Sequence, residues 1–107
     1  MKIRIYQIEM SLDEHNVAFQ SYAKMQEKYP NGFPANMYRM VYEGVVPTKE
    51  LSVVFYIFNM AQPQDYRARS LSVSDVIEVV EENEATFYYC DTVGFREVQF
   101  DTSYLIK

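Results

Sequence analysis

The densest run of side chains able to do polar chemistry is Arg67-Ala68-Arg69-Ser70-Leu71-Ser72-Val73-Ser74-Asp75. As a small-enzyme pocket, Arg67, Arg69, Ser72, Ser74 and Asp75 lack a base or a metal constellation to activate a hydroxyl. As structure, Ser and Asp at the entrance of a strand satisfy backbone donors and hold a turn. An arginine braces such a turn, because its planar guanidinium pairs with a carboxylate such as Asp75 or with a carbonyl. Read functionally, Arg67 and Arg69 form a small basic patch beside an acidic half, which is a weak nucleic-acid signal.

The acidic half begins there. Residues 1 to 69 hold eight Lys or Arg against seven Asp or Glu, whereas residues 70 to 107 hold two against eight. Asp75, Glu78, Glu81, Glu82, Glu84 and Asp91 follow one another with no Lys or Arg between Ser70 and Phe95. Such a stretch repels a phosphate backbone and attracts a basic partner, so no direct nucleic-acid binding is expected. Glu78, Glu81, Glu82, Glu84, Tyr88 and Asp91 are accordingly the candidate partner-binding residues, with Phe87 and Tyr89 as aromatic neighbours. The competing reading is a solvated sheet edge that charge protects from strand addition.

Other chemistry is thinly represented. The sequence holds one His, one Cys and three Gly, so it carries no Gly-rich phosphate loop and no His pair for a metal. Cys90 and His15 fall in different elements, and a lone Cys in an aromatic strand packs as a small hydrophobe. No cofactor is implied, and the protein is expected not to be an enzyme.

Hydrophobic periodicity supplies the elements that must position these residues. Lys2-Ile3-Arg4-Ile5-Tyr6-Gln7-Ile8 alternates as a strand. Ser11 or Asp13 caps a predicted helix from about 13 to 28, in which Ala18, Tyr22, Met25 and Tyr29 form one stripe, and Pro30-Asn31-Gly32 ends it. Met37 to Glu43 reads as a second strand. Thr48 then caps a second helix with Leu51, Val54, Phe55 and Phe58 on its buried face, although Ser52 to Phe58 has the composition of a strand. Val76 to Val80, Thr86 to Cys90 and Phe95 to Phe100 form a three-stranded meander on short turns, with a bulge expected near Gly94. The order β-α-β-α-β-β-β predicts a small α+β domain with two helices packed on one face of a mainly antiparallel sheet.

A chain of 107 residues fits one domain, and 49% hydrophobic with 16% aromatic residues is ample for a core. A single Cys excludes an intramolecular disulfide, and no apolar run approaches the length of a membrane span. A cytoplasmic protein without membrane attachment, monomeric or weakly dimeric, is expected.

Several segments together resemble the YodL-like domain family of Firmicutes and their mobile elements. They are Ile3-Arg4-Ile5-Tyr6-Gln7-Ile8, Val41-Tyr42-Glu43-Gly44, Leu51 with Phe55-Tyr56-Ile57-Phe58-Asn59, the Arg69-to-Asp75 run, Phe87-Tyr88-Tyr89-Cys90-Asp91, and Gly94-Phe95 with Val98 and Phe100. Ala68 stands where the resemblance leads one to expect Gly. The resemblance implies a context of plasmids, conjugative elements and phages, and transfers no catalytic residue. From it and the acidic surface follows the expectation of a counter-defence protein. Its favoured form is an anti-CRISPR inhibitor that binds a Cas9-type nuclease and blocks guide RNA or DNA loading. The alternative is a non-enzymatic regulatory adaptor that binds another protein.

Overall fold

The computed structural model describes residues 1–106, which form one five-stranded antiparallel sheet and two helices. The strands are β1 (Lys2–Ile8), β2 (Tyr38–Val45), β3 (Val76–Glu81), β4 (Glu84–Cys90) and β5 (Phe95–Val98), ordered β2-β1-β3-β4-β5. The α+β class and the element order agree with the sequence reading. β1 is flanked by two strands and is apolar on both faces, as an inner strand requires.

Alternation along β1 divides the core. Ile3 and Ile5 join Ile77, Cys90, Val54 and Phe58 beneath helix α2 (Leu51–Met60). Tyr6 and Ile8 point the other way and join Met25 of helix α1 (Tyr22–Lys28) with Val17, Tyr38, Val76, Tyr89, Val98 and Phe100. The helices therefore cover opposite faces, not one face. The sequence order of the helices gave no sign of this, whereas the two apolar sides of β1 each need a cover.

The sequence-predicted helix 13–28 shrinks to seven residues. Asp13 accepts from Val17 N (2.9 Å) and Ala18 N (3.0 Å), a local ring that diverts the chain from helix. Asn16 and Phe19 take left-handed φ of 55° and 66°. Ser21 is the actual N-cap, accepting from Lys24 N at 3.2 Å. The predicted stripe is still inward: Ala18 and Met25 are buried, and Tyr22 and Tyr29 pack against the same cluster.

For Ser52 to Phe58 the helical reading holds. Val54 and Phe58 are fully buried, each stabilising the fold by about 1.5–3 kcal/mol. Asn59 donates to the Phe55 carbonyl and Gln62 to that of Phe58, both at 2.8 Å, covering acceptors that the helix end leaves open. Among the described residues the sheet register shifts between Ile5 and Tyr6 of β1, opposite Val41 of β2, and not near Gly94. β5 needs no bulge there: Phe95 and Val98 are three residues apart and fall on opposite faces by simple alternation. Gln99 and Phe100 leave the sheet, and Phe100 packs against Tyr6, Tyr38 and Phe87.

Candidate functional site

The turn before β3 is where three elements are tied to one residue. Ser74, with φ of 84°, donates its N–H to the Cys90 carbonyl (2.9 Å). Its carbonyl accepts from the buried Tyr38 hydroxyl (2.7 Å), and its Oγ accepts from Phe19 N (2.9 Å). A left-handed serine bonded to a left-handed phenylalanine is costly backbone, retained because these bonds over-determine it.

Asp75, next in sequence, is fully buried. Its Oδ2 accepts from Ser72 N (2.8 Å) and from the Gln7 amide (3.1 Å). Its Oδ1 has no hydrogen-bond partner among the described residues, and the nearest Arg69 nitrogen stands 4.0 Å away. Burial pushes the carboxyl up to about 7, against the opposing pull of Ser72, Gln7 and Arg69. Arg69 also leans over the Phe19 ring at 5.6 Å and donates weakly to the Ile8 carbonyl (3.4 Å). Arg67 does not join this cluster and braces its own loop through the Gln64 and Tyr66 carbonyls. Ser72 Oγ donates to the Ser70 carbonyl. The side-chain hydrogen bonds of Ser72, Ser74 and Asp75 run to backbone groups and to Gln7, and together they hold the turn before β3.

The six partner-binding candidates are dispersed. Glu81, Glu82 and Glu84 are exposed together at the β3–β4 hairpin tip. Glu78 points into the sheet face that carries Tyr6 and is 4% exposed. It accepts from Tyr6 Oη (2.5 Å) and from Arg4 Nη1 (2.8 Å), while Arg4 Nε reaches Glu43 at 2.5 Å. Desolvation first, and then that bond to Glu78, hold the Tyr6 hydroxyl well above its ordinary range. Tyr88 is half-buried on the α2 face, opposite Ile77 and Glu97. Asp91 lies at the far end of β4, about 20 Å from the tip. There it accepts from Tyr22 N (3.1 Å) and Thr92 N (2.8 Å) and stands 3.8 Å from Arg96. Glu78 and Asp91 thus each join separate elements of the fold. Sequence reasoning could not see this, because an acidic run alternates faces along a strand and its partners Arg4 and Tyr22 come from distant segments.

The tip itself is built against local preference. Glu82 and Asn83 have φ of 49° and 67°, the two-residue turn with both central residues left-handed that favours Asn-Gly. Glu82 is a poor residue for the first position. Glu81 and Glu84 are direct cross-strand partners, a like-charge pair that destabilises a hairpin. None of the three carboxylates lies in an ion pair among the described residues.

Two residues missed in the sequence belong to this end of the molecule. Arg4 is the cation that ties Glu43 to Glu78, and Asp101 caps a short turn after β5 by accepting from Ser103 N (2.9 Å). In the sequence Arg4 was legible only as a member of the strand face that also carries Tyr6 and Ile8. Cys90 is buried and its thiol is pushed well up by burial, in keeping with a packing role. His15 is half-exposed with its ring edge-on to Tyr29. No cluster of three potential metal ligands occurs among the described residues. Nor is any helix among them long and apolar enough to cross a membrane.

The family model described as YodL-like domain matches residues 2–100 of the 107-residue chain. No curated protein and no solved structure matches it.

Proposed function

The chain belongs to the YodL-like domain family, and on that premise we propose that it is a non-enzymatic binding protein whose acidic β3–β4 tip docks on a basic surface of another protein. The observation that carries this reading is the local conflict at the tip. Glu82 in a left-handed turn position and Glu81 facing Glu84 both cost stability, and no ion pair among the described residues compensates them. Choices that work against the fold at an exposed site are the signature of a surface kept for binding.

In its sharper form the proposal is a cytoplasmic counter-defence protein that enters the basic channel of a Cas9-type nuclease and blocks loading of guide RNA or DNA. The one-signed charge of the tip supports this form, since it suits a groove that otherwise holds phosphate. The same tip would serve an adaptor that regulates another host or element protein.

The test uses purified Cas9-type nuclease and the full chain, alone and with Glu81, Glu82 and Glu84 all changed to Lys. Binding at low salt that the triple variant loses, with cleavage inhibited only when the protein precedes the guide, is the expected result. Binding to neither this nuclease nor a basic partner captured from host lysate, or capture indifferent to the triple reversal, would overturn the acidic-tip reading. Capture of a different basic protein that depends on the tip would select the adaptor form.

A further inference from the structure

Beside the tip, the Tyr6-bearing face of the sheet is not fully covered. A groove of about 690 Å³ opens there between the sheet and the segment after β5, lined by Arg4, Glu78, Ala85, Phe87, Asp101 and Thr102. It adjoins the tip directly, because Ala85 follows Glu84 and pairs with Val80. Phe87 is half-buried and rests on Phe100, ring centroids 5.3 Å apart, so its position is set by packing and does not depend on a ligand. The two charged walls are Glu78, at the base, and Asp101, at the rim.

We infer that this groove receives an arginine side chain of the basic partner, so that the partner docks by one inserted guanidinium as well as by long-range attraction to the tip. The inference rests on the acidic-tip reading and adds to it the specific residue that the partner contributes. Charge complementarity selects the occupant. Around groove and tip stand six carboxylates, Glu43, Glu78, Glu81, Glu82, Glu84 and Asp101, against two cations, Lys2 and Arg4, which is a formal −4 of the chain's −5. Both cations are already engaged, Lys2 with Glu43 at 3.8 Å and Arg4 with Glu43 and Glu78.

Acceptors remain for a guest. Each carboxylate oxygen has two lone-pair sites, and Glu78 Oε1 and Oε2 each accept one bond in the structure. Both bonds to Asp101 fall on Oδ1, which leaves Oδ2 open among the described residues. Between these carboxylates Phe87 and Ala85 line the groove and give the methylene stem an apolar side to lie along. Arginine fits this combination better than lysine, since its planar fork donates to two separate carboxylates at once.

The probe is a capped peptide alternating glycine with three arginines, titrated into 15N-labelled full chain at low salt. Amide shifts should concentrate at Glu78, Ala85, Phe87 and Thr102. Ala85→Arg, at an exposed position, fills the groove with a cation of the chain's own and should weaken binding about tenfold with the melting temperature unchanged. Asp101→Asn keeps the Oδ1 acceptor of the turn and should weaken binding by a smaller factor, which keeps the test decisive if Ala85→Arg perturbs the fold. The same peptide with lysine in place of each arginine should bind more weakly. Shifts confined to Glu81 through Glu84 and indifferent to Ala85→Arg would overturn the groove and leave the tip reading standing. Equal binding of the lysine peptide would overturn the arginine assignment, and no shifts at millimolar peptide would overturn the site, while capture of a protein partner tests the tip separately.

Discussion

Replacing Asp75 by Asn isolates one buried carboxyl whose effect on stability runs opposite to the usual one for an acid. In the folded chain burial lifts this group from 3.8 to about 7. Unfolded, it ionises near its ordinary value, so between about pH 4 and 7 the folded state binds the proton that the unfolded state has lost. Stability from this group is therefore complete below about pH 4 and is lost as pH rises through about 7. A shift of about three units corresponds to about 4 kcal/mol across that window. The groups facing the carboxyl are Gln7 on β1, Tyr38 on β2, Cys90 on β4, and Tyr66, Arg69 and Ser72 in the preceding loop. Asn keeps an acceptor for Ser72 N and Gln7 and places a neutral amide where Oδ1 stands. An amide left without a partner there costs about 1–3 kcal/mol, so Asp75→Asn should be less stable than wild type at pH 4 and equal or more stable at pH 8.5. Urea denaturation of both proteins at four pH values measures the difference, in which all other titrating groups cancel. A difference that is constant with pH, or that moves toward wild type as pH rises, would mean that Arg69 closes its 4.0 Å gap and holds the carboxylate charged, refuting the reasoning.

Three further outcomes follow from geometry. Glu78→Gln removes the charge that Arg4 and Tyr6 both address at a buried position, and should cost about 3 kcal/mol in denaturant unfolding at neutral pH, with Tyr6→Phe costing about half as much. Gly44→Ala would bring a Cβ to 2.5 Å from the Tyr42 hydroxyl. Phe58 and Tyr66 pin that ring, so a loss of about 1–3 kcal/mol is expected, largely recovered in the double variant with Tyr42→Ala relative to Tyr42→Ala alone. Glu82→Asn should raise the melting temperature, by the equivalent of about 0.5–1 kcal/mol, while lowering affinity for a basic partner; a fall in both would show that Glu82 supports the fold.

What the sequence could disclose follows the range of the interactions involved. β1, β3 and α2 were legible because their signals are periodic and local: alternation at Ile3 and Ile5, β-branched density at Val76 to Val80, and the three-and-four spacing of Leu51 to Phe58. Helix 13–28 was over-read because Ala18, Tyr22, Met25 and Tyr29 are buried at helical spacing. A carboxylate ring at Asp13 and left-handed Asn16 and Phe19 set the backbone there, and neither leaves a periodic trace. The turn role of Ser72, Ser74 and Asp75 was visible in residue type, but the orphaned Oδ1 was not, since it depends on where Arg69 comes to rest. For the acidic set, the tip was found and the convergence of all six residues was not. Glu78 is neutralised by a residue 74 positions away in sequence.

The position of β1 between β2 and β3 also sets a schedule. A ribosome adding 5–20 residues per second takes about 4–15 s to pass from the end of β1 to the end of β3, roughly 70 residues later. Until then the strand has at most one hydrogen-bonded edge filled and lacks the partner on its other side. Its isoleucines wait with it: Ile3 and Ile5 for Ile77, and the opposite face for Val76 and Phe100. The nascent chain thus carries an unfinished, doubly apolar strand through the synthesis of everything between β1 and β3, and the sheet closes only when the β3–β5 meander reaches it. A destabilised meander would accordingly be felt first as lost yield and aggregation in cells, before any change in binding by the molecules that do fold.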